Sequence, residues 1–265
     1  MPGTKEELPD PVREPLLRVD GLGVDIDGTP VLDGIGFSLA RSRTLGIVGE
    51  SGSGKSMTAL ALMGLLPRGA VRRGSLRLDG QALDALDEAA MRRVRGARIG
   101  MVFQEPMTAL NPLHRIGDQV AESLVLHRGL SRSDARRDAS AVLDRVGLPT
   151  TIARGRRYPN ELSGGQRQRV IIAIAIACSP LLLIADEPTT ALDVTTQAGI
   201  LSLLRELQRD EGLALLFISH DLAVVADMAD ELLVMTAGEV VERGTFGKVF
   251  AADAHPYAQR LHAAS

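Results

Sequence analysis

Eight consecutive residues, Gly49, Glu50, Ser51, Gly52, Ser53, Gly54, Lys55 and Ser56, constrain this chain more than any other stretch. They match the pattern G-x-x-x-x-G-K-[ST] at every fixed position, and the context agrees. A compact apolar strand, TLGIV at 44–48, precedes them, and a helical pattern from about Lys55 to Leu66 follows, ended by Pro67 and Gly69. The glycines let the backbone curl so that its N–H groups point inward at oxygen anions. The helix N-terminus adds about half a positive charge. Lys55 supplies a full charge for the outer phosphates of a nucleoside triphosphate, and the Ser56 hydroxyl is suited to Mg²⁺.

The rest of the chain reads as an α/β protein. Two alternating runs at 16–47 predict short strands that form an N-terminal β-subdomain, and further strands are expected at 74–80 and 98–103. From about Pro106 to Leu162 the character becomes Arg-rich and helical, with helices expected at 115–127 and 131–146. This stretch reads as a helical subdomain inserted into the core. Beyond it, helices at 164–178, 195–209 and 222–229 alternate with strands at 181–185, 214–219, 231–235 and 239–243. Such alternation predicts a mainly parallel sheet covered on both faces. Residues 16–265 are expected to be one domain ending in a helix at about 256–263. The polar, proline-rich residues 1–15 read as a mobile tail rather than a signal peptide. The most apolar run, 170–185, is broken by Ser179 and Pro180 into pieces too short to cross a bilayer, so a soluble, cytoplasmic chain is expected. The single cysteine, Cys178, can form neither an internal disulfide nor a cysteine-based metal site, and reads as a core thiol.

Three further positions converge on the same chemistry. The run LLLIADEP places Asp186 and Glu187 where a buried strand emerges. Asp186 is suited to Mg²⁺, and Glu187 to polarising a water against a γ-phosphate. Gln104 and His220 each end a predicted strand, at the side of an open α/β sheet where ligands bind. Gln104 is positioned for the metal and the attacking water, and His220 for the γ-phosphate.

Leu162-Ser163-Gly164-Gly165-Gln166, followed by an apolar helix, LLLIADEPTTALD and then Ser219-His220-Asp221, resembles the ATP-binding cassette (ABC) family over nearly the whole chain from Leu16. Ser163 is a good helix N-cap, and the glycines after it leave backbone N–H groups open to an anion. The resemblance implies the ABC form of the P-loop NTPase (RecA-like) fold, with ATP and Mg²⁺ as cofactors. It also implies that Ser163, Gly164, Gly165 and Gln166 close over the γ-phosphate bound by a second cassette, with Asp193 in the loop linking the two sites. The implied partners are that second cassette, transmembrane permease subunits and, indirectly, an extracytoplasmic substrate-binding protein. The implied place is the cytoplasmic face of the membrane. GIVGESGSGKS, MVFQEPMTALNPL, ADEPTTALDVTTQ and His255-Pro256-Tyr257 resemble most the ATPases of peptide and nickel importers. Either cargo, and either a homodimer or a heterodimer of cassettes, is compatible with these motifs, with paired non-identical ATPases common in that group.

Two other readings fare worse. Nucleic-acid ABC ATPases usually carry coiled-coil inserts, zinc-binding cysteines or two cassettes, none of which is found here. The net charge of -3 does not suit a protein held mainly by phosphate contacts. A P-loop small-molecule kinase would not carry LSGGQ and the DEP–ALD–SHD order. One position departs from the family. The adenine-stacking aromatic expected about two dozen residues before the loop falls at Ile26, and the only aromatic upstream of the loop is Phe37. Base–aromatic stacking is worth about 1–3 kcal/mol, so an aliphatic platform weakens ATP binding by about five- to 150-fold. Weak base selectivity is therefore expected of the isolated subunit. Parallel ATP and GTP titrations check this, and a strong preference for ATP would refute it.

Overall fold

The structure, a computed structural model, describes residues 14–104 and 109–263. The expected tail, apart from Glu14 and Pro15, lies outside these residues, as do the first positions of the expected helical stretch.

Two sheets organise the chain. In the first, β1 (Leu17–Ile26) pairs antiparallel with β2 (Thr29–Leu39) and β4 (Ala70–Leu78), and β5 (Gln81–Ala82) extends β4. In the second, the order is β10 (Glu239–Gly244), β9 (Glu231–Thr236), β3 (Thr44–Val48), β8 (Ala214–Ile218), β7 (Leu182–Asp186), β6 (Ile99–Val102). All neighbours in this sheet are parallel except β10 and β9. The expected α/β class, with a mainly parallel sheet beside an antiparallel N-terminal one, is what the chain forms.

The central strands are almost wholly apolar because both faces are covered. The side chains alternate, as the two-residue period of a strand demands. Leu182, Ile184, Leu216 and Ile218 join the core shared with the antiparallel sheet. Leu183, Ala185, Leu215 and Phe217 join the core shared with the later helices. Helix α1 (Lys55–Met63) contributes Ala59 and Leu62 to the first of these cores.

After β6 the described chain is helical: α3 (Ile116–Arg128), α4 (Arg132–Arg145), α5 (Thr150–Ala153), a 3₁₀ turn at Pro159–Glu161 and α6 (Gly164–Ile176). α3 packs on α4 and on α6, and α6 in turn lies on β6. Then follow α7 (Val194–Glu211) and α8 (Leu222–Met228), with α9 (Phe246–Val249) and α10 (Pro256–Ala263) closing the chain. Among the described residues no helix is long and apolar enough to cross a membrane.

Some boundaries differ from expectation. α1 stops at Met63 rather than Leu66, because Gly64 takes the left-handed conformation (φ 62°) and caps it. The strand expected at 74–80 begins earlier, at Ala70, because β1 pairs with it from Ile26↔Ala70 onward, with Arg72 bonded to the Ala61 carbonyl of α1 and Arg73 paired with Asp25. Helix α2 (Glu88–Val94), capped by Asp87, was not expected from the Arg-rich sequence there.

α6 approaches β6 without room to spare. A Cβ at Gly100 would sit 2.2 Å from the carbonyl oxygen of Ala175. Overpacking of this kind costs about 1–3 kcal/mol. Gly100→Ala should therefore destabilise the protein by about that amount in urea unfolding, with an unchanged m-value.

Candidate functional site

The parallel register brings four strand ends to one edge of the sheet. β3 delivers the loop 49–56, β8 delivers Ser219 and His220, β7 delivers Asp186 and Glu187, and β6 runs on to Gln104. Four separate sequence segments thus meet because their strands are neighbours.

The loop leaves β3 at Gly49, where a Cβ would lie 2.2 Å from the Met235 carbonyl oxygen at the end of β9. Only glycine fits that approach. The loop closes on itself through Ser53 N–H to the Glu50 carbonyl (3.2 Å) and is tied to the β9–β10 turn through Gly238 N–H to the Ser53 carbonyl (3.1 Å). Gly54 ends it in a left-handed conformation, and α1 begins at Lys55. Lys55 is buried. Its Nζ donates to the carbonyls of Gly49 and Glu50, each at 2.8 Å, and more distantly to Ser53 Oγ at 3.4 Å. Desolvation holds the Lys55 ammonium below its usual value, against the opposing pull of Glu187 and Asp186.

Ser56 Oγ donates to Asp186 Oδ1 across 3.1 Å, joining the start of α1 to the end of β7. Burial holds the Asp186 carboxyl above its ordinary range, and neighbouring Glu187 adds to this, while the Ser56 bond and Lys55 oppose it. One carboxylate and one hydroxyl facing each other form a hard-oxygen pair that suits Mg²⁺, which keeps waters and takes its other ligands from phosphates.

Glu187 is the hub of the remaining contacts. Its backbone sits at φ 48°, an unfavourable region for a side-chain-bearing residue. Its N–H bond to the Ile218 carbonyl (2.9 Å) holds it there. Oε2 accepts from Thr190 Oγ1 at 2.8 Å and from Gln104 Nε2 at 3.2 Å. Oε1 lies 3.2 Å from His220 Nδ1. Burial tends to raise this carboxyl. The bonds from Thr190 and His220, with the charges of His220 and Lys55, outweigh burial and leave it below its ordinary value. A half-buried carboxylate kept ionised, with one oxygen toward an exposed imidazole, is equipped to accept a proton from water.

The structure thus brings Gly49–Ser56, Gln104, Asp186, Glu187 and His220 together. It holds the other expected residues elsewhere. Ser163 caps α6 in a reciprocal box. Its Oγ accepts from Gln166 N (3.3 Å), and Gln166 Oε1 accepts from Ser163 N (3.0 Å). This segment lies against α7, with Gly164 near Leu192 and Gly165 so close to Thr196 that a Cβ would collide with its methyl. Asp193 caps α7 by accepting from Thr196 N (3.0 Å) and Thr196 Oγ1 (2.6 Å). Among the described residues no hydrogen bond joins Ser163–Gln166 to the loop 49–56. Ile26 ends β1 in the antiparallel sheet, half-buried and paired with Thr29 and Ala70.

Comparison with known proteins agrees with this geometry. A family model described as ABC transporter matches residues 32–190. A putative peptide import ATP-binding protein of Brucella melitensis is 49% identical over 260 residues, covering 94% of this chain and 77% of that protein. The glutathione import ATP-binding protein GsiA of Salmonella typhimurium is 50% identical over 260 residues, covering 94% of this chain and 42% of that protein. Among solved structures, a dimeric ATP-binding cassette in a post-hydrolysis state bound to ADP and Pi superposes with a TM-score of 0.75 at 29% identity, covering 86% of this chain and 98% of that one. cbiO1 from Clostridium perfringens, part of the ABC transporter complex cbiONQ, gives a TM-score of 0.77 at 30% identity, covering 91% and 92%. The chain belongs to the ABC transporter family, and it is an ATP-binding ATPase subunit of that family.

Sequence reasoning missed Thr190 and Tyr257. Thr190 follows Glu187 by three residues, and its N–H reaches the Glu187 carbonyl in a turn at 3.2 Å. A hydroxyl three residues after an acid at a strand end was a readable signal for that contact. Tyr257, whose hydroxyl meets the loop, had no local signal, because it is a tertiary contact. Because the Thr190 bond lowers the Glu187 carboxyl, Thr190→Ala should move the Glu187 titration upward, so that the ionised form is lost at a higher pH on acidification. Carbon-13 NMR of glutamate-labelled protein reads this, and an unmoved titration would remove Thr190 from the site.

Proposed function

We propose that this chain is the ATP-hydrolysing motor of an importer, powering uptake through membrane-spanning permease subunits from a peripheral position on the cytoplasmic face of the membrane. One observation carries the reading: Lys55, Ser56, Gln104, Asp186, Glu187 and His220 meet at one sheet edge, around the mouth of a phosphate loop. In this reading residues 16–265 are one ATPase domain, with 106–162 as its helical subdomain and 256–263 as its C-terminal helix.

The residues divide the work. Backbone N–H groups of Gly49–Ser56 and the Lys55 ammonium hold the β- and γ-phosphates, and Ile26 lies under the base. Ser56 and Asp186, with Gln104, would hold Mg²⁺, which supplies charge neutralisation of the phosphate oxygens. Glu187 orients a water and takes its proton as the water oxygen attacks the γ-phosphorus and the bond to the β–γ bridging oxygen breaks. His220 hydrogen-bonds the γ-phosphate. Its present contact with Glu187 positions both groups before phosphate arrives.

Ser163–Gln166 of a second cassette completes the site, and Asp193 lies between the two nucleotides. A sister ATPase is the favoured partner over a second copy. The exposed Leu113, in an Asn111-capped turn, supports contact with a permease. Relatives named for peptide and glutathione import favour a peptide cargo, received from an extracytoplasmic binding protein, over a nickel complex.

Removing a general base costs about 10²–10⁴-fold in rate. Glu187→Gln should retain MgATP, lose hydrolysis by about that factor, and abolish ATP-driven peptide uptake in proteoliposomes containing the permease. Hydrolysis at the unmutated rate would overturn the assignment of the base. Hydrolysis lost in Glu187→Gln, but with no uptake by the intact complex, would overturn the importer reading.

A further inference from the structure

The His255-Pro256-Tyr257 segment has a place in the fold that its sequence does not disclose. Tyr257 is only 7% exposed, and its ring is part of the core beneath the later helices. Its hydroxyl accepts a hydrogen bond from the backbone N–H of Glu50 at 3.0 Å, although 207 positions separate the two residues. Its own helix is firmly seated. His255 N–H donates to Glu242 Oε2 on β10 (3.0 Å), Tyr257 N–H to His255 Nδ1 (3.2 Å), and Gln259 Nε2 to the Ala252 and Ala254 carbonyls (2.7 and 3.0 Å). Phe246, Phe250 and His262 form a separate ring cluster.

The peptide unit between Gly49 and Glu50 is therefore gripped from two sides. Its carbonyl accepts from Lys55 Nζ at 2.8 Å, and its N–H donates to Tyr257. The two grips are not equally durable. An ammonium has three N–H donors. Those of Lys55 point at the carbonyls of Gly49 and Glu50 and, more distantly, at Ser53 Oγ. For Lys55 to reach a phosphate oxygen, at least one of these bonds has to be released. The Tyr257 bond needs no such release, because the Glu50 N–H is already turned toward the hydroxyl. A peptide freed on its carbonyl side has one soft rotation left, and that rotation would redirect the N–H groups that follow in the loop.

We infer that Tyr257 is a positioning residue of the phosphate loop: its hydroxyl fixes the Gly49–Glu50 peptide while Lys55 exchanges loop carbonyls for phosphate oxygens. The inference rests on the reading of residues 49–56 as the triphosphate loop. It makes the C-terminal helix part of the nucleotide site's support, so that a displacement of α10 would be felt as a change in nucleotide affinity.

Because the bond matters more after Lys55 has moved than before, its loss acts on the bound state. Tyr257→Phe keeps the ring and removes only the hydroxyl. A net hydrogen bond of ordinary strength predicts a rise in Kd for MgATP of about two- to tenfold. A fluorescent ATP analogue gives the Kd. The rate at saturating ATP should stay within about twofold and the melting temperature close to that of the unmodified protein. Phe250→Leu loosens the same end of the chain without touching the hydroxyl, and even with a larger loss of melting temperature it should weaken binding less than Tyr257→Phe. Unchanged affinity in Tyr257→Phe, or equal weakening in the two variants, would overturn the inference. Lys55→Ala separates the two levels. If it keeps full affinity, the loop reading itself falls. If it loses affinity while Tyr257→Phe does not, only the role of Tyr257 falls.

Discussion

The parallel pairing of β3, β8, β7 and β6 is the constraint on which the site depends. Ladder bonds fix each strand along its neighbour, and a slip by one residue would turn every side chain to the opposite core. Both faces are apolar here, so a slip would gain no better burial and would unseat the alternation of Leu182, Ile184, Leu216 and Ile218 against Leu183, Ala185, Leu215 and Phe217. A side chain moved to the opposite core meets space shaped for another, and such overpacking costs about 1–3 kcal/mol each, so a few mismatches rival what a domain can lose. The register therefore holds the strand ends level. The Glu187 N–H to Ile218 carbonyl bond continues the β7–β8 ladder past the strand and sustains the positive φ of Glu187. Strain of that kind costs about 1–3 kcal/mol and persists only where the surroundings over-determine it.

The charges at this edge do not balance by themselves. Lys55 is buried facing Asp186 and Glu187, and burial lowers the lysine while raising Asp186. Both displacements have the same leading cause, the loss of solvent around the charged form. Glu187 escapes this because Thr190 and His220 bond its oxygens and the charges of His220 and Lys55 favour its ionised form. The two adjacent carboxylates are thus held differently, one raised by burial and the other lowered by the groups bonded to it. That difference matches a division of labour between holding a cation and accepting a proton, and it arises from burial and neighbours rather than from residue type.

What could be read in the sequence was whatever depended on short spacing. The phosphate loop, the capping positions Ser163 and Asp193, and the apolar strand runs all declare themselves within a few residues. Gln104 and His220 were legible because each follows a strand and strand ends gather in an α/β sheet; the structure adds that both gather on Glu187. Positions decided by tertiary contact were not legible. β4 extends back to Ala70 through two arginines because β1 supplies the partner, and α2 forms in an Arg-rich stretch because Met91 and Val94 are buried against the core. Tyr257 lies in a segment recognisable only as a family marker, and its hydroxyl finds Glu50 only once β10 and the last helices have wrapped back onto the sheet.

The same dependence on packing shapes the segment at Ser163. Its helix start is closed by its own capping box and pressed against Thr196, whose N–H and hydroxyl are both taken by Asp193. Caps of this kind contribute about 0.5–2 kcal/mol each, so the two helix starts form one preorganised corner rather than two loose loops. In the proposed dimer, phosphate on one cassette meets the Ser163 face of this corner and the opposite site meets its Asp193 face. A Gly165 without a side chain is what lets the start of α6 stand this close to Thr196 on α7. Ser163, Thr196 and Asp193 are thereby in one contiguous set of contacts, so a displacement at Ser163 would be felt at Asp193.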